Sequence, residues 1–169
     1  MIKFSCEKVF LQNAIAVTSR AVAQKSSIPA LEGLLIHADQ QLTISGYNMQ
    51  TGIRTNVFAN VVEGGDIVLN ARLFGDIIRR LPEGPVTVVV DENYKVSIRA
   101  GYASFTISAE SAEDYPELPD VDGEAAVRMS QQDLKKLING TIELCHHGLC
   151  LGERVVEVAH RLVERINDG

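Results

Sequence analysis

No uninterrupted apolar run in the 169 residues approaches the roughly 18–20 that a membrane-spanning helix needs. The opening Met1-Ile2-Lys3-Phe4-Ser5 lacks the basic-then-apolar layout of a secretory leader, so a cytoplasmic location is expected. Cysteine is scarce: Cys6, Cys145 and Cys150 make an odd number in a chain without an export signal. That favours reduced thiols over a disulfide framework. The signatures of common chemistries are also missing. There is no Gly-x-Ser-x-Gly, no glycine-rich phosphate loop and no His-Glu-x-x-His. A nucleophile at Cys145 or Cys150 would lack an oxyanion partner or an orienting carboxylate at a telling spacing. The expectation is a protein that is not an enzyme and needs no cofactor. Helix-turn-helix and zinc-finger spacings are absent too, which argues against base-reading DNA recognition.

What remains has ordinary globular composition, 46% hydrophobic and 22% charged, in a chain long enough to bury a core. The net charge of −6 is unevenly spread. Glu110, Glu113, Asp114, Glu117, Asp120, Asp122 and Glu124 put seven acids and no base into one stretch, which leaves the rest of the chain at +1. A local basic face is therefore compatible with an acidic protein.

The organisation is repetitive. A short strand at 2–5 precedes a helix at 7–22, and strand-like runs follow at 34–38, 42–45 and 52–59. The order then recurs: strand 66–69, helix 71–81 with Asn70 as N-cap, strands 86–90, 95–99 and 104–108. Leu42-Thr43-Ile44-Ser45-Gly46-Tyr47 echoes Val96-Ser97-Ile98-Arg99-Ala100-Gly101-Tyr102 at the same place in each half. Alternation places Phe105, Ile107 and Ala109 on one sheet face. Asp39-Gln40-Gln41 and Asp91-Glu92-Asn93 supply hairpin turns. The fold class expected is α+β: two pseudo-symmetric strand-helix-three-strand halves, helices on one face of antiparallel sheets, and a C-terminal amphipathic helix. Residues 1–109 form the first domain. Residues 110–125, with Pro116 and Pro119, read as an extended acidic linker, and 126–138 begin a second domain with a strand at 126–130 and a helix at 131–138.

On the first helix, Phe10, Leu11, Ala14, Ile15, Val17, Ala21 and Val22 fall on the apolar arc, opposite Lys8, Gln12, Asn13, Ser19 and Arg20. On the second, Leu73, Phe74, Ile77, Ile78 and Leu81 point inward, and Arg72, Asp76, Arg79 and Arg80 outward. With Lys25 just past the first helix, the candidate DNA-binding residues are Lys8, Arg20, Lys25, Arg72, Arg79 and Arg80. On composition alone these are solvated helix faces. Aimed at phosphates, they would give weak, salt-sensitive, sequence-independent binding.

The tail at 139–169 stands apart. Val155, Val156, Val158, Ala159, Leu162, Val163 and Ile166 share one helical arc, suited to packing on apolar surface or to self-association. Cys145-His146-His147-Gly148-Leu149-Cys150 offers four potential ligands, but zinc sites pair two separated clusters and no second one exists. It is read as a chance grouping in a loop, with no metal. Cys6, just after the first strand, is read as a small core residue.

Several local sequences resemble the bacterial DNA sliding clamp, the beta subunit of the replicative polymerase. These are Met1-Ile2-Lys3-Phe4, the stretch from Ser26 through Ile28-Pro29-Ala30-Leu31 to Leu35, Leu42-Thr43-Ile44-Ser45-Gly46-Tyr47-Asn48, the helix from Ala71 to Pro82, and Ala112-Glu113-Asp114-Tyr115-Pro116-Glu117-Leu118-Pro119. They keep order and spacing over about residues 1–138, and Asn139 onward does not resemble the family's continuation. The resemblance implies a non-catalytic processivity module of DNA replication, grouped with DNA-directed DNA polymerase activity by association. Its partners would be double-stranded DNA held non-specifically and other clamp subunits. Lys25, Arg72 and Arg79 match basic positions of the family. A family chain is more than twice as long, so truncation is expected, without the pocket for polymerase and clamp-loader peptides. The alternative is an interaction module that pairs with itself or with intact clamp subunits without encircling DNA.

Overall fold

The computed structural model describes residues 1–119 and 129–146, with side chains through residue 140. The chain divides into two units, Met1–Pro119 and Asp120–Gly169. The first contains β1 (Ile2–Glu7), α1 (Lys8–Thr18), β2 (Gly33–Ala38), β3 (Leu42–Tyr47), β4 (Gly52–Val57), β5 (Asn60–Glu63), β6 (Gly65–Asn70), α2 (Ala71–Arg80), β7 (Pro85–Val90), β8 (Lys95–Ala100), β9 (Ala103–Ser108) and β10 (Glu110–Ser111). In the second, α3 spans Gln131–His146. The expected α+β class and the strand-helix-three-strand repeat are both present.

Among the described residues every strand pairing is antiparallel, in two five-stranded sheets ordered β5-β1-β7-β8-β9 and β10-β6-β2-β3-β4. Here the halves do something that their linear order does not show. The first strand of each half leaves its own meander and joins the other's. Ile2 sits opposite Val90 in the second half's sheet, and Leu34 of the first half sits opposite Leu69 of β6. The short edge strands β5 and β10, absent from the expected set, flank these exchanged strands symmetrically. Their backbone bonds need no side-chain alternation, so hydropathy gives no signal for them.

One core serves both sheets, α1 and α2. Phe4, Leu11, Leu34, Ile36, Ile44, Leu69, Phe74, Ile78, Val88 and Ile98 all pack into it. Their strand members alternate with half-exposed neighbours, as a sheet covered on one side requires. β9, at a sheet edge, keeps the expected alternation weakly: Ile107 packs on the core while Phe105 stays 36% exposed.

The helices correct two expectations. α1 buries Lys8, Leu11, Ala14, Ile15 and Thr18, whereas Phe10 and Val17 are 48% and 46% exposed. Leu11, Ala14, Ile15 and Ala21 of the expected arc are buried, but apolar residues run around most of this helix, so periodicity alone draws the arc too wide. The stripe that wins is set by Gly46 on β3, where a Cβ would lie 2.2 Å from the Thr18 carbonyl oxygen. Thr18 turns its hydroxyl inward to donate to the Ala14 carbonyl at 2.8 Å. On α2 the pattern is clean, except that Leu73 is 47% exposed. Asn70 caps α2 as expected, its Oδ1 accepting from the Leu73 amide at 3.0 Å.

The acidic stretch also differs from an extended linker. Its first part is docked: β10 pairs with β6, and Tyr115 is buried. The compact unit accordingly runs to Pro119 rather than ending at residue 109. In the second unit, Ser130 caps α3, accepting from the Asp133 amide and donating to Asp133 Oδ2 at 2.6 Å. That hydroxyl is the main cause of a lowered Asp133 pKa, with Lys136 assisting. α3 continues to His146, past the expected end at 138, so the backbone at Cys145 and His146 is helical rather than a loop. The side chains of 141–146, the expected strand residues 126–128, the rest of the cysteine-histidine grouping and the tail arc lie outside the described residues.

Candidate nucleic-acid interface

α1 and α2 pack side by side. Their approach depends on Gly75, where a Cβ would stand 3.3 Å from Ile15 Cγ2. At one end of the pair, a groove of about 620 Å³ opens between the turn that follows α1 and the start of α2. Ser19, Gln24, Glu32, Asn70 and Arg72 line it. Arg20 and Lys25 are sequence neighbours of these lining residues and are exposed.

Of the six cations expected to meet DNA, five are on the surface: Arg20, Lys25, Arg72, Arg79 and Arg80. Arg79 bonds to Asp76 one turn earlier at 2.5 Å but remains 67% exposed. An exposed pair of this kind is worth well under about 1 kcal/mol, so Arg79 can exchange its partner for a phosphate at little cost. Among the described residues, Arg20, Lys25, Arg72 and Arg80 make no ion pair. Arg79 and Arg80 also lie in the last turn of α2, where cations suit the helix dipole without any ligand.

Lys8 is the correction. Periodicity puts it on the exposed side of α1, but its side chain is only 8% exposed and its Nζ bonds to Glu83 Oε1 at 2.7 Å. The reason is local topology. The Lys8 amide donates to the Gly84 carbonyl, which brings the first turn of α1 against the link between α2 and β7. The long side chain is thereby laid along protein surface, with its charge delivered to Glu83. Lys8 joins the two halves and has no free charge to present.

Cys6 is buried, and burial first, with Glu7 second, pushes its thiol up to about 11. That is the setting of an inert core thiol, not a nucleophile. Tyr115 and Leu118, which composition assigns to a free connector, instead belong to a packed cluster with Ala30, Leu31, Tyr47 and Val68. A tyrosine and a leucine spaced within an acidic, proline-containing stretch are the available signal for this docking.

Residues 2–119 match the family model of the DNA polymerase III beta subunit, N-terminal domain. The chain is 30% identical over 144 residues to a beta sliding clamp of Synechococcus elongatus, covering 83% of this chain and 38% of that protein. It is 32% identical over 145 residues to the beta sliding clamp of Halalkalibacterium halodurans, with 79% and 37% covered. The crystal structure of the DNA polymerase sliding clamp from Bacillus subtilis superposes with a TM-score of 0.76 at 29% identity, over 81% of this chain and 38% of that one. The chain thus spans less than two fifths of the length of these relatives.

Proposed function

This chain belongs to the DNA polymerase III beta subunit family through its N-terminal domain, and we propose that it is a DNA-clamp module of replication. Its role is to lay helix-borne cations against duplex phosphates without reading bases and without catalysis. The observation that supports this reading is the exposure of Arg20, Lys25, Arg72, Arg79 and Arg80 in a domain that matches the beta-subunit N-terminal domain over residues 2–119. Cations arranged this way neutralise phosphate charge and release counterions, which gives binding that is steep in salt and indifferent to sequence. A clamp holds DNA by topology, so such a lining needs to attract only weakly.

Other clamp subunits are the proposed protein partners. Phe105 on the open edge strand β9 gives one observation in favour of subunit pairing. Binding of polymerase and clamp-loader peptides belongs, in this reading, to parts of the family chain outside the matched portion. The domain scheme proposed is a first clamp domain, an acidic connector and the opening of a second. The proposed location is the cytoplasm; among the described residues no helix is long and apolar enough to cross a membrane.

Titrating unrelated duplexes at several salt concentrations tests the proposal. Weak binding is expected to be equal across sequences, and removing one phosphate-neutralising cation should lower the log–log salt slope by about 0.9. The combined change of Lys25, Arg72 and Arg79 to Ala is expected to remove most of the binding. Affinity that ignores both salt and these substitutions overturns the assignment. Light scattering of the chain alone and mixed with a full-length clamp tests the pairing, and a strictly monomeric chain that forms no complex overturns that part.

A further inference from the structure

Sheet β10-β6-β2-β3-β4 carries a second apolar cluster on the face turned away from the helices. Its floor is Tyr47 of β3, Val68 of β6 and the partly buried Leu35 of β2. Ala30 and Leu31, from the 3-10 turn Pro29–Glu32, and Tyr115 of the connector are buried in the same cluster, with Ala23, Ile28 and Leu118 partly buried against it. Leu118 also lies over the start of β4, where a Cβ on Gly52 would be 2.9 Å from its Cδ2. The cluster therefore joins the connector to the loop that bears Lys25.

That loop has few restraints of its own. The Ala23 amide donates to the Leu31 carbonyl at 3.0 Å, the Ser26 amide to Glu32 Oε1 at 3.2 Å, the Ile28 amide to Ser26 Oγ at 3.1 Å, and the Leu31 amide to the Ile28 carbonyl at 3.1 Å. Four such bonds, local and part-buried, do not by themselves fix a loop that carries exposed Gln24, Lys25 and Ser27. Its shape depends on where Ala30 and Leu31 are seated. The Tyr115 hydroxyl is buried beside the Tyr47 backbone, so this residue joins the cluster through its ring and sets its polar end against β3.

We propose that Tyr115 and Leu118 are positioning residues: by holding Ala30 and Leu31 against β3 and β6, they set the Lys25 loop in its phosphate-facing place. The connector that leads out of the domain and the loop that meets DNA are then one mechanical unit. Displacement of the connector releases the loop. The functional side of this inference rests on Lys25 meeting phosphate, as proposed above; the mechanical side does not.

Amide hydrogen exchange on the full chain tests it, comparing wild type with Tyr115→Ala, Leu118→Ala and Tyr115→Phe. Exchange at Ala23, Ile28 and Leu31 is expected to rise by about tenfold or more in Tyr115→Ala, while the amides of β7 and β8 keep their protection. Leu118→Ala gives the same pattern more weakly. Tyr115→Phe retains the ring and is expected to exchange as wild type does. Unchanged exchange across 23–32 in folded Tyr115→Ala protein overturns the proposal, and so does an equal rise in Tyr115→Phe. If Tyr115→Ala does not fold, Leu118→Ala decides on the same terms. Should the loop loosen while Lys25→Ala binds DNA as wild type does, the positioning role stands and the assignment of Lys25 to phosphate falls.

Discussion

α1 and α2 occupy equivalent places in the two halves, yet they offer opposite surfaces. Outward from α1 stand Val9, Phe10, Gln12, Asn13, Ala16 and Val17, with no charge among them. Phe10 meets Phe58 edge-on, ring centroids 6.2 Å apart. Outward from α2 stand Arg72, Arg79 and Arg80, with Leu73 the one large apolar side chain. The buried stripes are alike because the shared core fixes both. Core packing constrains only the inner third or so of a helix, so the outer face is left to function. In this chain the positive charge has settled on one helix and on the loop that follows the other.

The largest effect separates what the halves share from what they do not. Leu11→Ala and Phe74→Ala each open a hole in the common core and are expected to cost about 2–5 kcal/mol. Denaturant unfolding followed by circular dichroism should show both destabilisations in one cooperative transition of the first unit. Two transitions, each sensitive to only one variant, would break the single-core picture. Next come the surfaces. Arg72, Arg79 and Arg80 changed together to Ala are expected to lower the DNA salt slope by about 2 to 3, against no change for Gln12 and Asn13 changed to Ala.

Capping gives a smaller contrast. Asn70→Ala removes a bond that holds the start of α2 and is expected to cost about 1 kcal/mol. α1 follows Glu7, whose side chain makes no capping bond, so Glu7→Ala is expected to leave thermal stability nearly unchanged. The sheets differ on a similar scale. The outer face of β6-β2-β3 is covered by Tyr115, while on the other sheet the corresponding Lys3, Ser5, Thr87, Val89 and Ser97 are only half-buried. Burial raises the Tyr115 phenol from 10.0 to about 12, and the backbone of Tyr47 offsets this only in part. A raised pKa favours the neutral form in the folded protein. This stabilisation is therefore complete below pH 10.0 and is lost as pH climbs through about 12. Tyr115→Phe should flatten that alkaline limb in pH-dependent melts. The smallest effect is a transplant. Gln12→Arg on exposed α1 is expected to shift stability by less than about 0.5 kcal/mol. A steeper salt slope in DNA binding would then show that α1 also faces phosphate.

α2 is legible from sequence because its apolar and charged residues are cleanly segregated and Asn70 announces its start. α1 is less so. With Val9, Phe10, Ala14, Ile15, Ala16 and Val17 nearly consecutive, more than one arc satisfies the periodicity, and only the close approach of Gly46 to Thr18 selects one. Five of the six candidate cations can be located because long charged side chains default to solvent. Lys8 cannot, since its burial follows from Glu83, 75 residues away in sequence. The docked connector is masked by its composition: acids and prolines suggest an extended linker, and Tyr115 and Leu118 are the two residues that signal otherwise.

The exchange of first strands between the sheets has a consequence for how the chain is made. β1 emerges first but has no central partner until β7, some eighty residues later, and β6 completes a meander that was already finished. Each half is thus short of one strand that the other holds. Cut in the link between β5 and β6, the two pieces would be mutually deficient, each able to supply the strand the other lacks, and the domain should be recoverable by mixing fragments that separately stay unfolded.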